Sequence, residues 1–77
     1  MDELLRAVFA EVFPSMTAPW SDRLSPADVS GWDSYGHLAL AEAVEHHFQV
    51  HFDEHELSEM ENVGRIKAIL VRRGVKP

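Results

Sequence analysis

The chain has 77 residues, of which 45% are hydrophobic, with no cysteine and a formal charge of −6 at pH 7. This length allows one domain (1–77) with a small core, the missing cysteine excludes disulfides and thiolate metal ligands, and the negative charge disfavours nucleic acid and anionic membranes as partners. No segment has the apolar length of a transmembrane helix and Met1-Asp2-Glu3 lacks the basic region of a secretory signal, so we expect a cytoplasmic protein.

The first predicted element is an amphipathic helix from Asp2 to Phe13. Its apolar residues recur at helical spacing, and Pro14 discourages its continuation. Residues 14–32 hold three of the four prolines and predict a long loop. A loop of this length requires packing of its own in a compact domain. The side chains expected to supply that packing are Trp20, Leu24, Val29 and Trp32.

The second predicted helix begins at Asp33 or Ser34, both good capping residues, and continues to Phe48. One face is expected to lie in the core and carries Leu40, Val44 and Phe48, flanked by His37, Ala41 and His47. The opposite face carries Tyr35, Leu38, Ala39, Glu42, Glu45 and His46. Two large apolar side chains on an exposed face indicate a docking surface, and the alternative is that the preceding loop buries them.

Two shorter helices complete the prediction. Residues 49–52 break the second helix, Asp53 caps a brief helix from Glu54 to about Met60, and Asn62 caps a last helix that Gly74 ends. The expected fold class is all-α, a small four-helix bundle of three main helices and one short helix, with a long loop between the first and second. The expected core consists of Leu5, Phe9, Leu40, Val44, Phe48, Phe52, Val63 and Ile66.

The junction between the long loop and the second helix carries the most informative motif. Residues 31–38 run Gly31-Trp32-Asp33-Ser34-Tyr35-Gly36-His37-Leu38 and place a serine at a helix start, where the backbone N–H groups and the helix dipole favour a phosphate group. This motif, with the apolar residues that follow it, resembles the acyl carrier protein and peptidyl carrier family over nearly the whole chain. The matching apolar positions are Phe48, Val50, Phe52, Leu57, Met60 and Val63.

The resemblance implies a covalent cofactor on Ser34. A separate phosphopantetheinyl transferase would attach phosphopantetheine from coenzyme A, and the thiol of that arm would carry acyl or aminoacyl groups as thioesters. The implied partners also include a loading enzyme and a downstream synthase or transferase, while the carrier itself is a monomer that catalyses nothing. Asp33 is expected to engage the modifying enzyme, and the expected partner contacts are Trp32, Tyr35, Leu38, Glu42 and Glu45.

Several positions depart from the usual family pattern. The sequence Glu45-His46-His47 stands where a run of Glu is common, and Tyr35 stands where Leu is frequent, so partner recognition is expected to differ. Histidines change charge in mildly acidic solution, which suggests a pH-dependent contact through His46 and His47. Trp32, Gly36 and His37 resemble carriers of polyketide or nonribosomal peptide pathways more than the carrier of primary fatty-acid biosynthesis.

Three other functions are each suggested by part of the sequence. His47, His51 and His55 recur every four residues and suggest a zinc site, although the break at residues 49–52 argues against one continuous stripe. An acidic helical interaction module would use the same docking surface and leave Ser34 as only a helix cap. An enzyme has the least support, because no oxyanion donor or orienting group accompanies Ser34 and His37.

Overall fold

The computed structural model describes residues 1–77 and contains four helices and no strand, so the expected all-α bundle is confirmed. The helices are α1 (Asp2–Val12), α2 (Ser34–Phe48), α3 (Glu54–Glu59) and α4 (Val63–Arg72). Each boundary lies within one residue of the prediction, because the signals that set it are local. Asp33, Asp53 and Asn62 each accept a backbone N–H of the helix that they precede. No helix combines the length and the apolar character that a membrane span requires.

The core is formed by α1, α2, α4 and the long loop, together with Phe52 and Met60 on either side of α3, and α3 adds Leu57 at the edge of the core. Seven of the eight expected core residues are buried, and Phe48 is the exception because it is half-buried at the last turn of α2. The helix ends there at Gln49, which adopts a left-handed conformation with φ of 56°. The chain then reverses, and Phe52 enters the core as predicted. Phe48 therefore covers the edge of the core instead of filling its centre.

Aromatic packing at Phe9 joins α1 to the loop. Its ring centroid lies 5.9 Å from that of Phe13, 5.1 Å from Trp20 and 5.3 Å from Trp32. The last two contacts are edge-to-face, an arrangement that stabilises aromatic pairs beyond their burial alone. Of the four loop side chains expected to pack, Trp20 is only partly covered. The other three are buried, namely Leu24, Val29 and Trp32.

Backbone hydrogen bonds fix the long loop to the start of α4. The N–H of Val63 donates to the carbonyl of Leu24 at 3.0 Å, and the N–H of Gly64 donates to the carbonyl of Asp22 at 2.9 Å. These bonds satisfy N–H groups that a helix start otherwise leaves without partners. The loop is therefore part of the ordered structure, although it contains no helix of its own.

A carboxylate that the sequence did not single out joins α3 to α4. Glu56 is buried, closes a capping box with Asp53, and accepts the Nε–H of Arg73 at 3.0 and 3.1 Å. The Arg73 hydrogen bond is the main cause that lowers the pKa of Glu56 to about 2, and the capping contact with the backbone of Asp53 acts in the same direction. Because α3 has only six residues, it depends on contacts of this kind with the rest of the chain.

We predict that this contact makes stability fall in acid. Above about pH 5 Glu56 is ionised in both the folded and the unfolded chain, so the full stabilisation is present. As the pH falls toward 2 the unfolded chain takes up a proton first, and the stabilisation is lost progressively. Glu56→Gln should lower the melting temperature at pH 7 and flatten its decrease between about pH 5 and pH 2.

The matched control is Glu61→Gln, which removes an exposed carboxylate that makes no ion pair. Melting followed by circular dichroism across that pH range should give parallel curves for the parent protein and for this control. Parallel curves for Glu56→Gln as well would show that the Glu56–Arg73 contact does not contribute to acid sensitivity.

Candidate functional site

Ser34 is the first residue of α2, and its hydroxyl makes no hydrogen bond within the chain. The cap is Asp33, whose carboxylate Oδ1 accepts the N–H of Gly36 at 2.9 Å and whose carbonyl accepts the N–H of His37 at 2.7 Å. The suggestion that Ser34 caps the helix is therefore wrong, since its neighbour fills that position. Ser34 is exposed and has no contact that accounts for a hydroxyl there.

Two glycines bring the loop against the first turn of α2. Gly31 has φ of +96°, a conformation that residues with a side chain rarely adopt, and it turns the chain just before the site. Its carbonyl oxygen lies so close to Gly36 that a Cβ placed on Gly36 would be 1.8 Å away. The sequence shows two glycines five residues apart, but no local signal predicts that Gly31 and Gly36 are in contact. Their contact fixes the turn that presents Ser34.

His37 connects α2 both to the loop and to α3. The indole N–H of Trp32 donates to His37 Nδ1 at 2.9 Å, so the ring hydrogen is on Nε2, which donates to the carbonyl of Leu57 at 2.8 Å. Both ring nitrogens are thus engaged in hydrogen bonds, which join α2 to the loop and to α3. Sequence analysis placed His37 beside the core stripe but did not identify either partner.

Trp32 is buried, as its expected packing in the loop requires, although it was also expected to contact a partner. Its side chain is 4% exposed and packs against Phe9 and Phe13. An indole held by two rings and a hydrogen bond leaves only a small exposed part, at the surface beside Ser34. Trp32 therefore supports the loop next to Ser34, and its predicted role as a partner contact is corrected to a structural one.

The outer face of α2 is exposed. Of the two alternatives, an exposed face or burial by the preceding loop, the first therefore holds. Tyr35 is 86% exposed and Leu38 is 55% exposed, so the loop does not cover them. Glu42 is also exposed, one turn further along. Glu45 differs from the expectation because it is half-buried, with its carboxylate accepting the N–H of Phe52 at 2.7 Å. That carboxylate stabilises the chain reversal after α2.

A shallow groove of about 470 Å³ opens beside Ser34. It lies between the loop and α2, and the only carboxylate at its edge is that of the capping residue. Because Ser34 lies on its rim, a group attached to the hydroxyl has an apolar surface directly next to it. The groove is lined by Pro26, Trp32, Asp33, Ser34, His37 and Leu38.

The histidines that suggested a zinc site each lie beside a different carboxylate. His47 contacts Glu11 of α1 at 3.1 Å, His51 contacts Glu45 at 3.3 Å, and His55 contacts Glu59 at 3.4 Å. No group of three or more His, Asp and Glu side chains is placed to hold a metal ion. His46 and His47 are both exposed, and His47 also bridges α1 and α2 through Glu11.

Comparison of the chain with protein-family models, with curated proteins and with solved structures gives no match. Residues 31–38 and their geometry are therefore the part of the chain that indicates a function. The central features are a Ser34 hydroxyl that makes no hydrogen bond, a turn fixed by two glycines that presents it, and an exposed apolar helix face beside it.

Proposed function

We propose that the chain is a carrier protein that holds acyl or aminoacyl intermediates on a phosphopantetheine arm attached to Ser34. The observation that carries the proposal is the exposed hydroxyl of Ser34, which has no hydrogen-bond partner although it stands at the start of a well-capped helix. A serine that directly precedes a helix would cap it by accepting an N–H of the first turn. Here Asp33 caps it, so the hydroxyl is free to react.

The surroundings of Ser34 suit a phosphodiester. The N–H groups of Ser34 and Tyr35 have no backbone acceptor, and they lie at the positive end of the α2 dipole. In the proposed reaction Ser34 Oγ forms a bond to a phosphorus of coenzyme A, the nucleotide half leaves, and a base on the transferase takes the hydroxyl proton. Asp33 would engage that transferase or its metal ion.

The proposal assigns no catalysis to the chain itself. His37 is three residues from Ser34, but both of its ring nitrogens are already bonded, to Trp32 and to Leu57. It therefore has no free nitrogen with which to activate the hydroxyl. The chemistry would come from a loading enzyme and a downstream synthase or transferase. The resemblance implies a carrier of polyketide, nonribosomal peptide or related biosynthesis. It also implies a monomer that acts in the cytoplasm.

The test is the intact mass of the protein after incubation with coenzyme A, magnesium and a broad-specificity phosphopantetheinyl transferase. We expect the parent protein to gain one phosphopantetheine unit, and Ser34→Ala to gain none. Ser30→Ala is the matched control, because it removes another exposed serine close to the site, and it should be modified like the parent.

Two results would contradict the proposal. One is the absence of any mass gain with several transferases in a sample whose circular dichroism shows a folded helical protein. The other is a gain that persists in Ser34→Ala. The first result would favour the interaction module, for which the exposed Tyr35 and Leu38 provide a surface without any modification.

A further inference from the structure

The chain has five histidines, and histidine is the side chain whose charge ordinarily changes in mildly acidic solution. His47, His51 and His55 each lie beside a carboxylate, and His46 is exposed to solvent. A proton on any of the first three adds a positive charge next to a negative one, which favours the contact. His37 differs from them, because it is half-buried and forms none of the ion pairs in the chain.

The hydrogen bonds of His37 require a neutral ring. The indole nitrogen of Trp32 is a donor only, so His37 Nδ1 accepts from it with a lone pair. The other ring nitrogen, Nε2, carries the hydrogen and donates it to the carbonyl of Leu57. A second proton would have to bind Nδ1, and two N–H groups would then face each other across 2.9 Å. Protonation of His37 therefore removes its contact with Trp32.

No carboxylate is placed to stabilise a positive charge on His37. Within the loop, Asp33 lines the same groove, but its Oδ1 accepts the N–H of Gly36 and it forms no ion pair with the ring. On α3, Glu54 is exposed and forms no ion pair. The other two carboxylates of that helix pair elsewhere, Glu56 with Arg72 and Arg73, and Glu59 with His55 and Arg72.

Trp32 connects His37 to the serine site. Its indole is buried against two phenylalanines and forms a wall of the groove on whose rim Ser34 lies. Gly31, which turns the chain and contacts Gly36, directly precedes it. Loss of the contact between Trp32 and His37 therefore loosens the loop segment that packs against the first turn of α2.

From these observations we infer that His37 is a positioning residue for the modification of Ser34 and that it acts only while its ring is neutral. At neutral pH its two hydrogen bonds hold the loop and α3 against the start of α2. In mildly acidic solution the ring becomes charged, Trp32 loses its acceptor, and the turn that presents Ser34 loosens. The loosening is a property of the fold, whereas its effect on Ser34 rests on the proposed function.

Hydrogen exchange of the two indole N–H groups, followed by NMR, tests the loosening without any modification. The indole of Trp20 donates to Asp2 and serves as the internal reference. Hydrogen bonds from Lys67 and Trp20 hold the pKa of that carboxyl below its usual value, so this indole keeps its acceptor in the same range of pH. The protection of Trp32 relative to Trp20 should fall about tenfold between about pH 7.5 and pH 5, because a free histidine takes up its proton near pH 6.5.

Substitutions of His37 separate the effect of the proton from that of the side chain. His37→Gln retains an amide oxygen that accepts from Trp32 and takes up no proton, so the relative protection should stay within about twofold over the same range. His37→Leu offers no acceptor and should give low protection at every pH. His46→Gln is the matched control, because it removes an exposed histidine of the same helix and should reproduce the decrease of the parent protein. Circular dichroism confirms that each variant keeps its helices.

The transferase assay tests the effect on Ser34. It measures kcat/KM for modification of the parent protein and of His37→Gln by a broad-specificity phosphopantetheinyl transferase, with coenzyme A and magnesium. Dividing the parent value by the variant value at each pH cancels the pH dependence of the enzyme itself. This ratio should fall about fivefold from about pH 7.5 to pH 5.5, and the ratio of the parent to His46→Gln should change less than about twofold.

Three results would overturn the inference. Constant relative protection of Trp32 in the parent protein, or an equal decrease in His37→Gln, would show that a neutral His37 does not hold the loop. A constant ratio of kcat/KM would show that the contact does not position Ser34, although the parent protein is modified and the proposed function stands. Failure of the transferase to modify the parent protein contradicts the proposed function and the role of His37 at Ser34, while hydrogen exchange still decides whether the contact is lost in acid.

Discussion

Substitution of Gly36 by alanine is expected to lower the free energy of unfolding by at least about 2 kcal/mol. Helix propensity alone predicts the opposite, because alanine is favoured over glycine inside a helix by about 1 kcal/mol. The difference comes from Gly31, whose carbonyl oxygen would lie 1.8 Å from the new Cβ. Backbone atoms, not a flexible side chain, would have to move, and the turn that presents Ser34 would move with them.

The matched control for this prediction is Ala39→Gly, on the exposed face of the same helix. It should cost about 1 kcal/mol, as expected from propensity without any collision. Urea unfolding monitored by circular dichroism gives both free energies. Stabilisation by Gly36→Ala would mean that the loop is able to move away from the helix without cost.

Phe9→Ala is the second substitution with a large expected effect. Phe9 is fully buried and contacts two tryptophans, so the loss should be about 3 to 5 kcal/mol. A domain of this size has a total stability of roughly 4 to 12 kcal/mol. The variant should therefore lose a large fraction of its stability, and its thermal transition should occur far below that of the parent protein.

A control on the same helix separates packing from helix formation. Leu4→Ala removes an apolar side chain that is exposed on α1, and it should cost less than about 1 kcal/mol. Thermal unfolding of the two variants by circular dichroism gives the comparison. Equal losses would indicate that the aromatic packing around Phe9 contributes little to stability.

Helix boundaries were predictable from the sequence because their causes are local. Asp33, Asp53 and Asn62 each bond to a backbone N–H three residues later, so the cap and its target lie in one short segment. The end of α1 follows in the same way from Pro14, since proline cannot supply the hydrogen bond that continues a helix. These signals need no knowledge of the rest of the chain.

Contacts between distant residues could not be predicted in the same way. Glu56 and Arg73 are 17 residues apart, and nothing in either neighbourhood specifies that they meet. The same is true of His37 and Leu57, which are 20 residues apart. A charged or polar residue has many possible partners, and only the packing of the helices selects one.

The candidate site was predicted in part. The motif identified Ser34, and the helical period placed Tyr35 and Leu38 on a face that the structure leaves exposed. The sequence did not decide which of two adjacent residues caps α2, because Asp33 and Ser34 are both good caps. Trp32 was expected both to pack the loop and to contact a partner, and its burial agrees only with the packing role, because an indole near a helix start can serve either purpose.

The pairing of the long loop with α4 has a consequence for the timing of biosynthesis. Leu24 bonds to Val63 and Asp22 bonds to Gly64, so the loop that leads to Ser34 is held by residues made about forty positions later. While the chain is still emerging from the ribosome, those partners have not yet been synthesised. Under the proposed function, a transferase that requires the finished turn would modify Ser34 only after translation of α4, and growing chains would remain without the arm.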